Sequence, residues 1–568
     1  MQKIKITING KKITAPLGKT ILEIAKNSGT YVPTLCHHTD LKIKANCRIC
    51  LVEVTFKNKK KCFLPSCQAK AENGMKIETD SVEIRKLRKT NLELLFSQHK
   101  EECTDCVFCH SCSFLQMAKE YQVEIDKFQD RKKDFPTYNF GPALIFDSSK
   151  CINCYNCVEV CQNQSVGYLE KVEKNGFFEV RPNPKKTCIY CGQCLAHCPV
   201  GAFEAVGEFE DIEKPLQNKN KVVIFQFAPS IRTSIGEEFN LPFGSVVTEK
   251  LVGAIKKLGV DYIFDVSVGA DFTTFEEANE LLEKLKNKTG NILLSSCCPA
   301  WVRFVEAYYP QFVKNLSQAR PPHIILGGLI KTYFAKKQKI KPENITVVSV
   351  MPCVAKKFEI ERKEFLIGKL KPVDFVLTTR ELAFLFKKKG IDLKKAKPLK
   401  CDTPLGVPSG SGVIYGASGG VMESALRVAF WEKQKEILPK IVYEQVRGQE
   451  NLKKVELNLL NKKIKMVALS GIKQAKNILE ELKENKQAYS CLEVMACPGG
   501  CIGGGGQPLP QDKEIRQKRA EGLYQIDQKE NLKVASQNPI VKQVYKDFLK
   551  TEKLRNQITK VKYTCKQK

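Results

Sequence analysis

Two copies of one cysteine pattern, C-x2-C-x2-C-x3-C, constrain this chain more than any other feature: Cys151, Cys154, Cys157, Cys161, and then Cys188, Cys191, Cys194, Cys198. Thiolates at such short spacing close around one iron-sulfur cluster, and the fourth cysteine of each run ligates the other cluster. The pair predicts two 4Fe-4S clusters, one on Cys151, Cys154, Cys157 and Cys198, the other on Cys188, Cys191, Cys194 and Cys161. Zinc sites or disulfides explain neither the twinning nor the three-plus-one spacing. Pro199 follows the second run as the pattern asks, whereas Gln162 takes the place of the proline after the first.

The other thiols are clustered too. The chain has 25 cysteines in 568 residues, and tight runs suit metal ligation in a reducing compartment better than the dispersed bridges of a secreted scaffold. Residues 1–80 read as a small mixed fold with a strand at 3–8, a turn at Asn9-Gly10 and a helix near Thr20 to Asn27. Within it Cys36, Cys47, Cys50 and Cys67 are spaced C-x10-C-x2-C-x16-C, close to plant-type 2Fe-2S ligation with a longer first gap. His99, Cys103, Cys106 and Cys112 then form H-x3-C-x2-C-x5-C. On spacing alone, a structural zinc ion and a 4Fe-4S cluster with one histidine ligand fit this segment equally. Its position between two iron-sulfur segments favours the cluster.

A chain of this length is expected to form several domains, and 43% hydrophobic residues suffice to bury their cores. No run approaches the length of a membrane span, and the N-terminus alternates polar with apolar residues, so a cytoplasmic protein is expected. The formal charge of +30 counts every thiol as neutral, whereas iron-bound thiolates are negative, so the true balance is less basic. No basic run interleaved with aromatics and no nucleic-acid motif is present, and nucleic acid is not an expected partner. The remaining positive excess fits either an acidic electron carrier steered by charge or plain lysine-rich solubility.

From about residue 213, apolar strand-like runs alternate with helical patterns: VVIFQFAPS, IFDVSV, NILLSS, ITVVSVMPC, KMVALSG and CLEVMAC. Such alternation predicts an α/β fold with largely parallel sheets. Three of the runs end in cysteines, Cys297 with Cys298, Cys353, and Cys497. Their thiols are expected to meet beyond the carboxyl ends of the strands, where α/β folds bind ligands.

The segments SSCCPAW (295–301), MPCVAKKFE (351–359) and EVMACPGGCIGGGGQP (493–508) resemble the three signature motifs of FeFe hydrogenases. The upstream cysteine segments occur in an order similar to that of the large clostridial-type members. This resemblance implies a multidomain α+β and α/β chain: a β-grasp 2Fe-2S ferredoxin-like domain (1–80), a His/Cys 4Fe-4S segment (81–140), a bacterial double-4Fe-4S ferredoxin-like domain (141–212) and a two-lobed α/β catalytic domain (213–568). It also implies an H-cluster, in which Cys298, Cys353, Cys497 and Cys501 hold a 4Fe-4S cubane and Cys501 bridges to a diiron unit bearing carbonyl, cyanide and a dithiolate amine. Four thiolates satisfy a cubane and leave Cys297 as a fifth thiol able to give and take a proton.

By the same resemblance, protons pass through Cys297, Glu277, Ser317 and Glu280, with Glu277, Glu280 and Lys284 on one helical face. Lys356 would hydrogen-bond a cyanide, and Ala228, Pro229, Ser230, Met351 and Met495 would line the diiron unit. Read without the resemblance, the glutamates are a solvated face and the methionines gap-filling core. Arg320, Pro321, Pro322 and His323 depart from the Lys-Ser-Pro-Gln of the family pattern, Tyr415 from phenylalanine, Pro498 from histidine and Lys284 from arginine. The run Gly503 to Gly506 lacks the lysine and serine of a phosphate loop, so close backbone packing explains it better. Cys62, Cys109, Cys401, Cys491 and Cys565 have no assigned partner and read as structural.

The expected activity is reversible reduction of protons to dihydrogen with electrons from a ferredoxin-type carrier, after assembly by hydrogenase maturation proteins. The expected cofactors are one 2Fe-2S cluster, three accessory 4Fe-4S clusters and the H-cluster. Rival readings are the catalytic subunit of an NADH-linked hydrogenase, a non-catalytic sensor and an iron-sulfur assembly factor. Intact Cys297, Lys356, Glu277 and Cys501 speak against the last two.

Overall fold

Alternating lysine and isoleucine in β1 (Lys3–Ile8) puts Ile4, Ile6 and Ile8 into a core and the lysines into water. In this computed structural model the described residues are 2–564, apart from Asp105, Ser111, 131–134, Asn175, 288–291, 439–443, Val446, Gln449, Asn461 and 486–487. Asn9 and Gly10 both adopt positive φ, closing the tight hairpin from β1 to β2 (Lys11–Pro16). With β3 (Leu51–Thr55), β4 (Lys61–Pro65) and β5 (Lys76–Glu78), these strands form one sheet in the order β2-β1-β5-β3-β4. The helix Ile21–Asn27 packs on it, started by Thr20 and Glu23, which cap each other's backbone N–H groups. Buried Arg88, on the helix Val82–Phe96, donates to Leu51 O, Thr79 O and the Tyr121 hydroxyl. It thereby joins the sheet to the helices that flank the His99 segment.

The twin cysteine runs lie among β6 (Thr137–Phe140), β7 (Leu144–Asp147), β8 (Leu169–Lys174), β9 (Phe177–Pro182) and β10 (Phe203–Ala205). A β10-β7-β6 sheet backs them, with a β8-β9 hairpin beside it. Each run turns through left-handed residues, Asn153 and Tyr155 in the first, Tyr190 and Gly192 in the second.

Two sheets build the larger lobe pair. β11 (Val222–Phe227), β12 (Tyr262–Asp265), β14 (Ile345–Met351) and β15 (Phe375–Thr378) form an all-parallel sheet in the order β12-β11-β14-β15. β13 (Leu293–Leu294), β16 (Leu452–Leu459), β17 (Lys462–Ser470) and β18 (Cys491–Met495) form the other, in the order β13-β18-β17-β16, with only β16 antiparallel. β14 and β18 are buried along their whole length, which is why they read as continuous apolar runs. Two expected strands are shorter than the sequence suggests. The IFDVSV run leaves the sheet at Asp265 and continues as the helix Val266–Asn287, and NILLSS contributes just Leu293 and Leu294.

Candidate functional site

The loops after β11, β13, β14 and β18 meet between the two parallel sheets around a cavity of about 80 Å³. Cys297, Cys298, Cys353, Cys497 and Cys501 all line it, as do Ala228, Pro229, Ser230, Met351, Met495 and Lys356. The structure therefore brings the residues of all three motifs to one wall. Burial raises Cys298, Cys353, Cys497 and Cys501, and neighbouring thiols add to the rise at Cys353, pushed up to about 12, and at Cys497 and Cys501. Four thiols that cannot ionise unaided but stand together are a donor set waiting for positive charge, and iron supplies it. Ser230 Oγ is buried with no hydrogen-bond partner among the described residues. A buried hydroxyl left unpaired at this wall suits a ligand-bearing metal group, so the residues fit the cofactor that the motifs imply.

Lys356 donates from Nζ to Cys297 O at 3.0 Å and to Glu359 Oε2 at 2.7 Å, leaving its third proton for the cavity it lines. Burial alone would raise Glu359, but Lys356 and His323 hold it below the usual carboxylate range. His323 Nε2 meets the same Glu359 oxygen at 2.5 Å, and its Nδ1 lies 3.2 Å from Ser349 Oγ. The sequence reading gave Glu359 no role. Its spacing three residues after Lys356 on one helix was the available signal.

Glu277 and Glu280 face inward on the helix Val266–Asn287 and do not form a solvated surface. Burial first, then the charges of Glu280 and Glu493, push Glu277 up to about 8. Burial pushes Glu280 up to about 7, against hydrogen bonds from the Ser317 hydroxyl and the Gln318 N–H, the latter at 2.9 Å. Cys297 feels the charge of Glu277. Beside Glu277, Ser295, Cys491 and Glu493 line a cavity of about 20 Å³, room for one water. Lys284 is half-buried, donates to Ile292 O at 3.3 Å and lies within the electrostatic reach of Glu280.

The departures from the family pattern have separate explanations. Arg320 donates to Lys560 O, Phe365 O and Glu364 O, tying the C-terminal segment down. Pro322 opens the helix Pro322–Leu329 at its first turn, where a missing N–H costs nothing. The Tyr415 hydroxyl lies 2.8 Å from Thr274 Oγ1, and its ring lines the main cavity. The glycine run packs as expected: a Cβ on Gly503 would lie 2.2 Å from Pro498 O, and one on Gly504 equally close to Pro352 O.

The accessory cysteines lie in four groups. Cys157 is raised by burial and then by Cys151, Cys154 and Cys198, with Cys194 a lesser influence. Cys194 is raised by burial and then by Cys191, Cys188 and Cys161. Cys36, Cys47, Cys50 and Cys67 form one group: Cys36 lowers Cys47 to about 6, Cys67 lowers Cys50 to about 7, and Cys67 also feels Cys36 and Cys47. His99, Cys103, Cys106 and Cys112 line a cavity of about 20 Å³, and Cys109 joins them there. His99 Nδ1 donates to Lys150 O at 2.7 Å, which orients Nε2 as a ligand nitrogen. Cys565 lies outside the described residues.

These groups adjoin one another. Cys497 Sγ lies 3.8 Å from Cys191 O, and a Cβ on Gly505 would lie 2.6 Å from the Gly192 Cα. A Cβ on Gly201 would lie 3.2 Å from Cys106 Sγ, so the His99 group abuts the loop after Cys198. From the loop between the helix Ile21–Asn27 and β3, Lys44 reaches Asn156 Oδ1 at 3.1 Å and pairs with Glu159 at 2.5 Å.

Comparison with known proteins agrees with this arrangement. Residues 221–505 match the family described as iron only hydrogenase large subunit, C-terminal domain. Residues 1–82 match a 2Fe-2S iron-sulfur cluster binding domain, 150–202 a 4Fe-4S dicluster domain, and 513–557 the iron hydrogenase small subunit. The chain is 36% identical to the NADP-reducing hydrogenase subunit HndD of Solidesulfovibrio fructosivorans, over 97% of this chain and 96% of that protein. It is 35% identical to iron hydrogenase 1 of Clostridium pasteurianum, over 96% of each. A solved structure of apo [FeFe]-hydrogenase HydA1 from Chlamydomonas reinhardtii is 30% identical with a TM-score of 0.57, covering 63% of this chain and 99% of that one.

Proposed function

This chain belongs to the iron-only (FeFe) hydrogenase family, and from that premise we propose that it reversibly reduces protons to dihydrogen with electrons from an acidic, ferredoxin-type carrier. The observation that carries the proposal is the convergence of five cysteines on one cavity, one more than a cubane needs. We assign Cys298, Cys353, Cys497 and Cys501 as the residues that would hold the cubane of the H-cluster, with Cys501 also holding its diiron unit. When bound, the H-cluster supplies the redox-active metal and the basic amine at which dihydrogen is split or formed.

The residues of the chain do the rest. Met351, Met495, Ala228 and Pro229 exclude water, while Ser230 and the third Lys356 proton offer donors to inorganic ligands. Cys297 holds a proton at Sγ, Glu277 and Glu280 hold protons near neutral pH, and the Ser317 hydroxyl bridges toward the outer glutamate. Glu359 keeps Lys356 charged and fixed.

Cys36, Cys47, Cys50 and Cys67 would hold a 2Fe-2S cluster and His99, Cys103, Cys106 and Cys112 a 4Fe-4S cluster, each an entry point that would accept electrons from the carrier. The twin runs would hold two further clusters, and Cys191 O, 3.8 Å from Cys497 Sγ, sets the second run beside the proposed cubane ligands. The cofactor count is thus one 2Fe-2S, three accessory 4Fe-4S and one H-cluster, in domains spanning 1–80, 81–140, 141–212 and 213–568. Maturation proteins would install the diiron unit, in the cytoplasm. Among the described residues, no helix is long and apolar enough to cross a membrane.

A second reading is favoured by one comparison: a relative matched over nearly the whole chain is named as an NADP-reducing hydrogenase subunit. Assays of the matured chain with reduced ferredoxin, and separately with NADPH, decide between them. Ferredoxin alone should sustain hydrogen evolution. Evolution that requires NADPH and a co-purifying subunit would move the chain to the second reading.

A further inference from the structure

A polar cluster lies where the N-terminal sheet, the second cysteine run and the C-terminal helix Lys513–Lys529 meet, outside every cluster site assigned above. His38 follows Cys36 by two residues, and His197 immediately precedes Cys198. Ligand atoms of His38, Asp40 and His197 all lie within 4.8 Å of one another. The two imidazole rings have centroids 4.2 Å apart at an interplanar angle of 47°. His197 is only 5% exposed, and its Nδ1–H donates to Gln193 O at 2.8 Å. That bond fixes the tautomer and leaves the Nε2 lone pair unprotonated. Among the described residues no hydrogen bond uses Nε2, although Asp40 and His197 open onto a cavity of about 360 Å³. The Asp40 N–H approaches His38 Nδ1 at a long 3.2 Å, and Arg516 Nη1 occupies Asp40 Oδ2 at 2.7 Å. A tautomer exchange of His38 or release of that weak contact frees a nitrogen, and Asp40 keeps Oδ1.

The plain alternative is a polar contact between domains, in which two rings stack and Asp40 pairs with Arg516. That accounts for Asp40 and Arg516 but not for a buried imidazole with an unused lone pair beside a carboxylate and a second imidazole. Two imidazoles and one carboxylate are the ligand set of a zinc-class ion with an open position, and the adjoining cavity leaves room for water there. Arg516, Lys473 and Lys513 border the cavity and oppose a cation. The thiolate-held clusters beside His38 and His197 counter them, since each carries net negative charge.

We propose that His38, Asp40 and His197 form a binding site for one divalent ion of zinc's class, which clips the loop after Cys36 to the loop before Cys198. The ligands of the site are all protein groups, and its charge balance rests on the neighbouring clusters of the function proposed above. Its consequence, a fixed spacing between the 2Fe-2S group and the neighbouring 4Fe-4S group, rests on that function too.

Equilibrium dialysis of the full, cluster-loaded chain against Zn²⁺, after chelator treatment and under anaerobic conditions, tests the site. The wild type should take up one zinc per chain at micromolar concentration, with X-ray absorption showing nitrogen and oxygen ligands. His38→Gln and Asp40→Asn should each weaken uptake roughly 10-fold or more, with iron content unchanged. Arg516→Ala, which removes a competing positive charge, should tighten it, and a merely structural contact would not respond in that direction. Equal uptake by wild type and His38→Gln, sulfur-dominated absorption, or weaker binding in Arg516→Ala would overturn the site. Hydrogen evolution is read separately, so an inactive chain that still binds zinc this way contradicts the function and not the site.

Discussion

Glu277 is the residue on which most of the proton-path reading turns. It is buried with Oε1 lacking a hydrogen-bond partner among the described residues, and its carboxyl is pushed up to about 8. Such a group is neutral below neutrality and can lose its proton within the working range, as a relay requires. We expect Cys297→Ser and Glu277→Gln each to lower turnover by roughly 10²-fold or more while leaving the carbonyl and cyanide bands in place. Full activity in either variant would remove that residue from the path.

The same shift has a cost in stability, with a definite sign. An acid whose folded value lies above its usual value of about 4.3 destabilises the fold progressively as pH rises from that value toward about 8. Glu277→Gln should therefore gain on the parent in unfolding free energy between pH 5 and pH 9, by an amount on the order of a few kcal/mol. A constant difference across that range would show that Glu277 does not titrate so high. The cysteine runs were legible in their spacing, and the place of Lys356 beside the cavity only through the motif resemblance. Glu359, the Thr274–Tyr415 contact and the Glu493 carboxylate, which accepts the N–H groups of Gly419 and Met422, were not, since each acts through partners distant in sequence or carries no signature of its own.

At the scale of elements, the loops matter more than the strands that carry them. β14 and β18 were readable because burial on both faces makes a strand uniformly apolar. β16 was missed because it is an edge strand in which exposed Lys454, Glu456 and Asn458 alternate with Val455, Leu457 and Leu459 on the inner side. The short β13 and the early end of β12 depend on packing that no local pattern records. Gly269, near the start of the long helix, would place a Cβ 2.2 Å from Pro322 O, so two helices approach there more closely than a side chain allows. The Gly192 and Gly505 contact does the same between the second cysteine run and the third motif. Gly505→Ala should force those loops apart. In rapid freeze-quench EPR the accessory clusters should then reduce at the parental rate while the H-cluster lags. Unchanged reduction of both would show that the glycine contact does not set the spacing.

Across the whole molecule, the two outer cysteine groups adjoin the twin runs, and the twin runs adjoin the cavity between the two sheets, which is the order the proposed electron route requires. A strongly basic chain with a formal charge of +30 should attract an acidic carrier by long-range charge. Its rate with reduced ferredoxin should fall several-fold as the Debye length shrinks from about 10 Å at 0.1 M salt toward about 3 Å at 1 M. A rate independent of salt would leave the positive excess as surface solubility. The order of domains was readable from the cysteine runs, but the forked contact of the two outer groups with the twin runs was not. It depends on bonds such as Lys44 to Asn156, 112 residues apart in sequence.

The central claim is that this chain holds an H-cluster on Cys298, Cys353, Cys497 and Cys501. Infrared spectroscopy of the anaerobically purified chain, produced together with hydrogenase maturation proteins, tests it most directly. Metal-bound carbonyl and cyanide stretches that shift under dihydrogen are the predicted result; their absence from a chain fully loaded with iron would contradict the claim.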